Sequence, residues 1–133
     1  ENTCTTNFMS AYCNYPLLKG QQANLYKCVL TNGLDNLKGC GYMGLLHPEG
    51  VYDDANGQSL RKEIYLRLVY HFQFQNALNL FADVAHREKY GISVYGRNRG
   101  VIDFKNINNL FHPSTIDACF AHDGNGICGG IRR

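Results

Sequence analysis

The side chains best suited to chemistry lie in residues 62–74 of this 133-residue sequence. From residue 64 onward every even position is apolar or aromatic, and this alternation predicts a strand with one buried face. The opposite face would then carry Glu63, Tyr65, Arg67 and His71. Such a set could serve a metal-free ribonuclease, with acid/base catalysis by Glu and His and phosphate stabilisation by Arg. The competing interpretation is an exposed strand face of mixed polar residues, because catalytic groups usually converge from several elements.

A second group of functional side chains lies in the segment GRNRG at residues 96–100. Short β-rich runs at 92–95 and 101–104 flank it, and this pattern predicts a hairpin with the glycines in its turn. Arg97 and Arg99, with Tyr95 beside them, would form a cationic and aromatic tip that suits contact with an anion or a glycan. An ordinary solvated turn is the alternative.

No metal site or cofactor site is predicted. The five histidines, at 47, 71, 86, 112 and 122, have none of the usual ligand spacings. Asp53, Asp54 and Asn56 resemble a calcium loop, but Tyr52 stands where the EF-hand order requires an acid. The sequence also lacks the P-loop, the Rossmann fingerprint and the GxSxG motif.

Hydrophobic periodicity places these candidate residues on an α+β fold. Residues 76–90 predict an amphipathic helix, with Asn76 as its N-cap and Gly91 just past its end. A straight strand over 62–74 would measure about 43 Å, so we expect a bend or bulge along it. The predicted fold is an antiparallel sheet of about four to six strands, with helix 76–90 packed on the face lined by Leu66, Leu68 and Phe72.

The remaining segments complete a single predicted domain over 1–133. Residues 1–23 show neither period for long and predict an irregular N-terminal arm. Residues 24–31 and 40–47 predict a hairpin around a turn-rich octet. The last strand is predicted at 115–122, with a short return after the DGNG turn.

The cysteines favour a disulfide-stabilised, secreted protein. They are Cys4, Cys13, Cys28, Cys40, Cys119 and Cys128, and no CxxC pair occurs. An even number of cysteines in a small loop-rich chain favours disulfides over zinc. The first residue is Glu1, which we interpret as the start of a mature chain after removal of a secretory signal. No run of about 18 apolar residues predicts a membrane span.

The predicted hairpins restrict the disulfide pairing. Their registers separate Cys28 from Cys40 and Cys119 from Cys128 too far for a bridge. Ten of the fifteen possible connectivities remain, and in all of them two bridges join the C-terminal segment to the first forty residues.

Charge selects no partner for this chain. The formal net charge is +2 and the charged residues are scattered, so neither binding of duplex nucleic acid nor anchoring to an anionic membrane is expected. Charged residues make up only 18%, against nine Tyr and seven Phe, which is typical of a sheet-rich extracellular domain.

With its six cysteines and its order of β-hairpin, long strand, helix and hairpin, the chain resembles the small secreted cysteine-rich proteins of fungi. These include plant-pathogen effectors and killer-toxin-like proteins. It departs from the ribonuclease-like effectors, because Tyr15-Pro16-Leu17 stands where they have Tyr-Pro-His, and it lacks the denser cysteine pattern of one killer-toxin group. The resemblance implies a disulfide-clamped antiparallel sheet that binds a host or competitor macromolecule, a protein or a glycan, usually without catalysis.

Two other functional classes stay open: a secreted ribonuclease or other small hydrolase, and an extracellular protein that recognises carbohydrate or matrix. For the binding interpretation the predicted contact residues are Tyr65, Arg67, His71, Tyr95, Arg97 and Arg99. Arg and Tyr are enriched at binding hot spots, which is why these residues are singled out.

Overall fold

A computed structural model describes residues 2–11, 14–22, 24–37 and 39–131 and has the expected α+β composition. The helices are α1 (Asn2–Ser10), α2 (Leu25–Asn36), α3 (Gly50–Asp53), α4 (Gln58–Arg67) and α5 (Ser114–Ala121), and the strands are β1 (Met43–Pro48), β2 (Leu68–Gln75), β3 (Lys89–Tyr95) and β4 (Lys105–Leu110). Short 3-10 turns occupy Pro16–Leu18 and Asn76–Leu78. Contrary to the prediction of an irregular N-terminal arm, this segment contains α1 and one of these turns.

The four strands form one mixed sheet in the order β1-β3-β2-β4. Both β1 and β2 pair with β3 antiparallel, whereas β2 pairs with β4 in parallel. The number of strands agrees with the prediction. The prediction that all strands are antiparallel is wrong, because β2 and β4 are parallel. Because β1 and β4 are the edge strands, the central strands β2 and β3 each have a neighbouring strand on both sides.

The predicted strand 62–74 is half helix and half strand. Residues up to Arg67 belong to α4, which buries Ile64 and Leu60 at a spacing of four. Spacing of four satisfies both a helical and an alternating pattern, which explains the misassignment. The expected irregularity is present where β2 begins: Leu68 pairs with Tyr95 and Tyr70 with Val94, leaving one residue as a bulge.

The predicted helix 76–90 does not form. Asn76 is fully buried and bonds to the following chain: its Oδ1 accepts from Phe81 N at 3.1 Å, and its Nδ2 donates to the carbonyls of Phe81 (2.8 Å) and Val84 (2.6 Å). Such side-chain bonds give the backbone an alternative to helical bonding. Asn79 then adopts a left-handed conformation at φ 50°, which ends the short 3-10 turn.

Three predicted hairpins are also replaced by other structure. Residues 24–31 lie in α2, where Asn24 caps the first turn by accepting from Tyr26 N, and residues 115–122 belong to α5 and its C-cap. Residues 101–104 do not pair with β3, and the neighbouring strand β4 instead joins β2 in parallel. The first two hairpins give way to helices, whose hydrogen bonds are local, and the third gives way to the parallel pairing of β2 with β4, which sequence proximity does not reveal.

Each face of the sheet carries a core. The larger core contains Leu30, Leu34, Val51, Leu60, Ile64, Leu68 and Tyr95, with α2, α3 and α4 over the sheet. The smaller core contains Phe74, Tyr90 and Leu110, with Ile116 of α5 packed against it. Because the bulge turns Leu68 toward the larger core while Phe72 packs with the smaller one, the predicted single face of Leu66, Leu68 and Phe72 is wrong.

No two cysteines in the described chain lie at disulfide-bonding distance, so the disulfide framework stays a prediction. Cys28 is buried in the larger core, Cys4 and Cys40 are exposed, and Cys13 falls outside the described residues. The Sγ atoms of Cys119 and Cys128 are 3.3 Å apart. The predicted hairpin register, which placed Cys119 and Cys128 too far apart for a bridge, is therefore wrong, because Cys119 lies on α5 and not on a strand.

Within the described residues, no helix combines the length and the apolar composition needed to cross a membrane.

Candidate functional site

The predicted catalytic set does not assemble on one strand face. Glu63, Tyr65 and Arg67 belong to α4, and only His71 lies on β2. Arg67 Nε donates to Glu63 Oε1 at 2.6 Å, one helical turn away. The Tyr65 ring stacks between Tyr52 and Phe104, with centroids 6.0 Å from each.

His71 instead belongs to a polar cluster between the sheet and α3. Its Nε2 donates to Glu49 Oε1 at 3.1 Å and its Nδ1 donates to Asn106 Oδ1 at 2.8 Å. Gln73 Nε2 donates to the other carboxylate oxygen of Glu49 at 2.9 Å. The side chains of His71 and Glu49 are only 9% and 13% exposed. We call these four residues the Glu49–His71 cluster.

The carboxylate of Glu49 lies directly above Gly91 of β3. A Cβ atom at Gly91 would lie 2.2 Å from Glu49 Oε1 and 3.0 Å from His71 Nε2. A side chain at this position would therefore displace the ion pair. Glycine at this strand position leaves room for the cluster.

The hydrogen bonds of the cluster determine its charge. Burial alone would lower the pKa of His71, but the bonds to Glu49 and Asn106 outweigh it and raise that pKa. Burial would likewise raise the pKa of Glu49, and the bonds from His71 and Gln73 reverse this and lower it. Both shifts favour the imidazolium–carboxylate pair.

A network of phenols and a second histidine adjoins the cluster. Tyr52 Oη bonds to Ser93 Oγ at 3.0 Å and to Tyr95 Oη at 3.1 Å, and Tyr95 Oη bonds to His47 Nε2 at 3.0 Å. Burial raises the pKa of both tyrosines and lowers that of His47, so these groups stay neutral. The network satisfies polar groups that would otherwise be unpaired within the core.

The chemistry of the Glu49–His71 cluster is that of a structural ion pair. A histidine acting as base or acid needs a ring nitrogen directed at the substrate. Here both ring nitrogens are bonded to internal acceptors. In addition, no arginine or lysine occurs among the hydrogen-bond partners described for this pair. The hydrogen bonds described for this pair therefore supply no cation of the kind that stabilises a phosphate in a metal-free ribonuclease.

The GRNRG segment forms one wall of an open cleft rather than a hairpin tip. Gly96 N donates to Arg67 O at 2.7 Å and Arg99 N donates to Leu66 O at 3.1 Å, so the segment caps the last carbonyls of α4. The cleft has a volume of about 360 Å³ and is lined by Gly39, Cys40, Gly41, Tyr42, Val69, Gly96, Arg97 and Arg99. None of these lining residues is acidic. We call it the Arg97 cleft.

The two arginines of the Arg97 cleft differ in whether their side chains are hydrogen-bonded to the rest of the described chain. Arg99 Nη2 donates to the carbonyl of Leu68 at 2.5 Å, and its Nε is buried without a hydrogen-bond partner among the described residues. Arg97 is exposed, and no hydrogen bond or ion pair to it is seen in the described chain. Tyr42 is 73% exposed, and its ring lies over Gly96, where an added Cβ would approach it to 3.3 Å.

The predicted contact residues therefore separate into two groups. Tyr95 is fully buried and His71 nearly so, and Tyr65 and Arg67 are engaged on α4. Arg97 and Arg99 alone share one accessible concavity, and Tyr42 and Cys40 join them there.

A second groove of about 370 Å³ lies between α2 and the edge strand β1. Its lining is apolar and aromatic apart from His47, and comprises Leu25, Tyr26, Val29, Leu45, Leu46 and His47. No Asp, Glu, Lys or Arg is among these lining residues, whereas two arginines line the Arg97 cleft. No group of three or more His, Cys, Asp or Glu side chains in the described part of the chain is arranged to hold a metal ion.

Comparison with known proteins gives no relative for this chain. No family model matches it, and neither the curated proteins nor the solved structures contain a match.

Sequence reasoning missed Glu49, Gly91 and Tyr42. The sequence of β2 could have indicated Glu49 and Gly91, because the polar residues His71 and Gln73 alternate there with Phe72 and Phe74. We interpreted the polar positions as solvent-facing, although helices cover both faces of the sheet. Polar positions on an enclosed strand require buried partners, and Glu49 is one of them.

Proposed function

We propose that this protein is a secreted effector-like or toxin-like binding protein that holds an anionic group of a host or competitor macromolecule in the Arg97 cleft, without catalysis. The observation that carries the proposal is the exposed guanidinium of Arg97 in a concavity without acidic lining. Arginine and tyrosine are the residue types most enriched at binding hot spots, and Tyr42 supplies the aromatic surface beside the cation.

The geometry of the Arg97 cleft suits binding more than reaction. Arg99 is held by the carbonyl of Leu68, so the wall that carries Arg97 is anchored to β2 before a ligand arrives. Preorganisation of this kind lowers the entropic cost of binding. The only histidine in the predicted catalytic set, His71, is enclosed by its own hydrogen bonds. The ribonuclease alternative requires that histidine together with Glu63 and Arg67, which pair with each other on α4.

Binding is tested with two anionic probes, a heparin hexasaccharide and an oligoglutamate peptide, by isothermal titration calorimetry at low salt. We expect at least one probe to bind, and Arg97→Ala to weaken that binding. Loss of one charge-assisted contact costs about 1 to 2 kcal/mol, or roughly 5-fold to 30-fold in Kd. Arg87→Ala is the matched control, because Arg87 is also exposed but does not line the cleft. Failure of both probes to bind, or equal losses in the two variants, would contradict the proposal.

Absence of catalysis is tested separately. The oxidised protein is incubated with RNA in metal-free buffer beside His71→Ala and Glu49→Gln. We expect no cleavage by any of the three. Cleavage by the parent would overturn the non-catalytic proposal, and its loss in both variants, with their circular dichroism spectra unchanged, would assign the activity to the Glu49–His71 cluster.

A further inference from the structure

Cys119 and Cys128 form an isolated pair of thiols at the C-terminal end of the described chain. The thiol of Cys128 points at Cys119 Sγ, and the sulfur atoms are 3.3 Å apart. Both residues are partly exposed, whereas Cys28 is 2% exposed and enclosed by the larger core. A small oxidant can therefore reach the pair.

The local backbone holds the two thiols together without help from a bond between them. Between them, Asp123 Oδ1 accepts from Asn125 N at 2.9 Å, and Gly124 and Gly126 adopt positive φ. The chain then reverses and runs back along α5 at Gly129 and Gly130. This turn uses residues that favour such conformations, so the approach of the sulfurs is encoded in the sequence between them.

The returning chain packs tightly on the face of α5 that carries Cys119. A Cβ atom added at Gly129 would lie 3.6 Å from Ala118 Cβ, and one added at Gly130 would lie 2.3 Å from Thr115 Oγ1. Gly130 also has φ +83°, which a larger side chain disfavours. Two glycines therefore admit the segment to the helix surface, independently of the sulfur contact.

We infer that Cys119 and Cys128 are a dithiol that a low-molecular-weight disulfide, such as glutathione disulfide, oxidises to an intramolecular disulfide. One thiolate attacks the oxidant, forms a mixed disulfide and releases one glutathione thiol. The second thiolate attacks the protein sulfur of that mixed disulfide and releases the second glutathione. Two protein thiols are oxidised and one glutathione disulfide is reduced to two thiols, so the exchange balances.

A disulfide between Cys119 and Cys128 would have a structural role, because it would lie beside the weakly packed helix α5. No residue of α5 is fully buried, and Phe120 is 55% exposed although its ring contacts Tyr70 and Phe72. Such a helix has little core to hold it in place. A bond between Cys119 and Cys128 would fasten the segment after α5 to the helix and make the two one unit.

Tryptic mapping tests the inference directly, because residues 106–132 contain no internal Lys or Arg and only these two cysteines. The folded, reduced protein is treated with glutathione disulfide, alkylated and digested. We expect peptide 106–132 to be unalkylated and lighter than its reduced form by two hydrogen atoms.

Two variants complete the test. Cys128→Ser should leave Cys119 alkylated or carrying one glutathione, whereas Cys4→Ser should leave the lighter peptide unchanged. Recovery of 106–132 with both cysteines alkylated, or cross-linked to a peptide from the first forty residues, would overturn the inference. The parent measurement decides the question even where the Cys128→Ser variant does not fold.

Discussion

Replacing Glu49 with Gln tests the Glu49–His71 cluster while preserving its shape. The amide retains an oxygen that accepts from His71 or Gln73, but it lacks the charge that favours the imidazolium. His71 then has to keep its proton in an enclosed site without a counterion, or release it. Removing one partner of a buried pair costs about 3 to 5 kcal/mol, and the residual exposure of both side chains reduces this to about 2 to 3 kcal/mol.

The effect depends on pH in a definite direction. The pKa of His71 is raised on folding, so its contribution to stability is fully present below its unfolded pKa and is lost as pH rises through the folded value. The pKa of Glu49 is lowered, so its contribution is present above its unfolded pKa and is lost as pH falls through the folded value. Both contributions are present together between about pH 4.5 and 6.5. The variant should therefore lose most stability near pH 5.5 and much less near pH 9.

Urea unfolding of the parent and Glu49→Gln at both pH values measures this difference, with Glu88→Gln as the control for an exposed carboxylate. In thermal unfolding at pH 5.5, the same loss should lower Tm by roughly 8 to 12 °C. Burial lowers the pKa of His47 and the charge of Glu49 raises it, so His47 adds to the loss at low pH in Glu49→Gln but not in Glu88→Gln. Equal losses at the two pH values, or a loss no larger than that of Glu88→Gln, would refute the ion-pair account.

Two further substitutions test the packing around this cluster and the loop beside it. Gly91→Ala should cost about 1 to 3 kcal/mol, because the new Cβ displaces Glu49, whereas Gly44→Ala meets open space and should change stability little. Urea unfolding of both variants checks this, and equal effects would contradict the close approach at Gly91. Asn76→Ala removes three buried hydrogen bonds and should cost about 2 to 3 kcal/mol, with Asn108→Ala as the exposed control. Hydrogen exchange in residues 79–88 should accelerate in Asn76→Ala alone; unchanged exchange would show that Asn76 does not organise that loop.

The sequence predicted a mixture of helix and strand because hydrophobic periodicity is a local property. The agreement in strand number was reached with partly different segments, since 24–31 and 115–122, predicted as strands, form helices. Residues 68–75 alternate cleanly and form β2, as predicted for the second half of the long strand. The failures arose where a local pattern was compatible with two structures. Ile64 and Leu68 are four apart, which fits a helix and a strand equally, and the helix prevails because Leu60 extends the same buried face.

The candidate sites were less accessible to sequence reasoning. Arg97 and Arg99 were identified because arginine is enriched at binding sites, and this preference can be recognised from the residue type alone. The Glu49–His71 cluster was missed because its members come from three separate segments, joined by the pairing of β2 with β3 and β4. Only the tertiary structure brings Glu49 above Gly91, and no spacing along the chain predicts that contact.

The most direct test of the proposed binding function is to map the contact surface by NMR. Amide chemical shifts are recorded while the heparin hexasaccharide is added to the isotope-labelled protein. We predict the largest changes in residues 39–42 and 96–99, with no comparable changes in Arg97→Ala. Changes centred instead on the groove of Leu25, Val29 and Leu46, or on the Glu49–His71 cluster, would contradict binding in the Arg97 cleft.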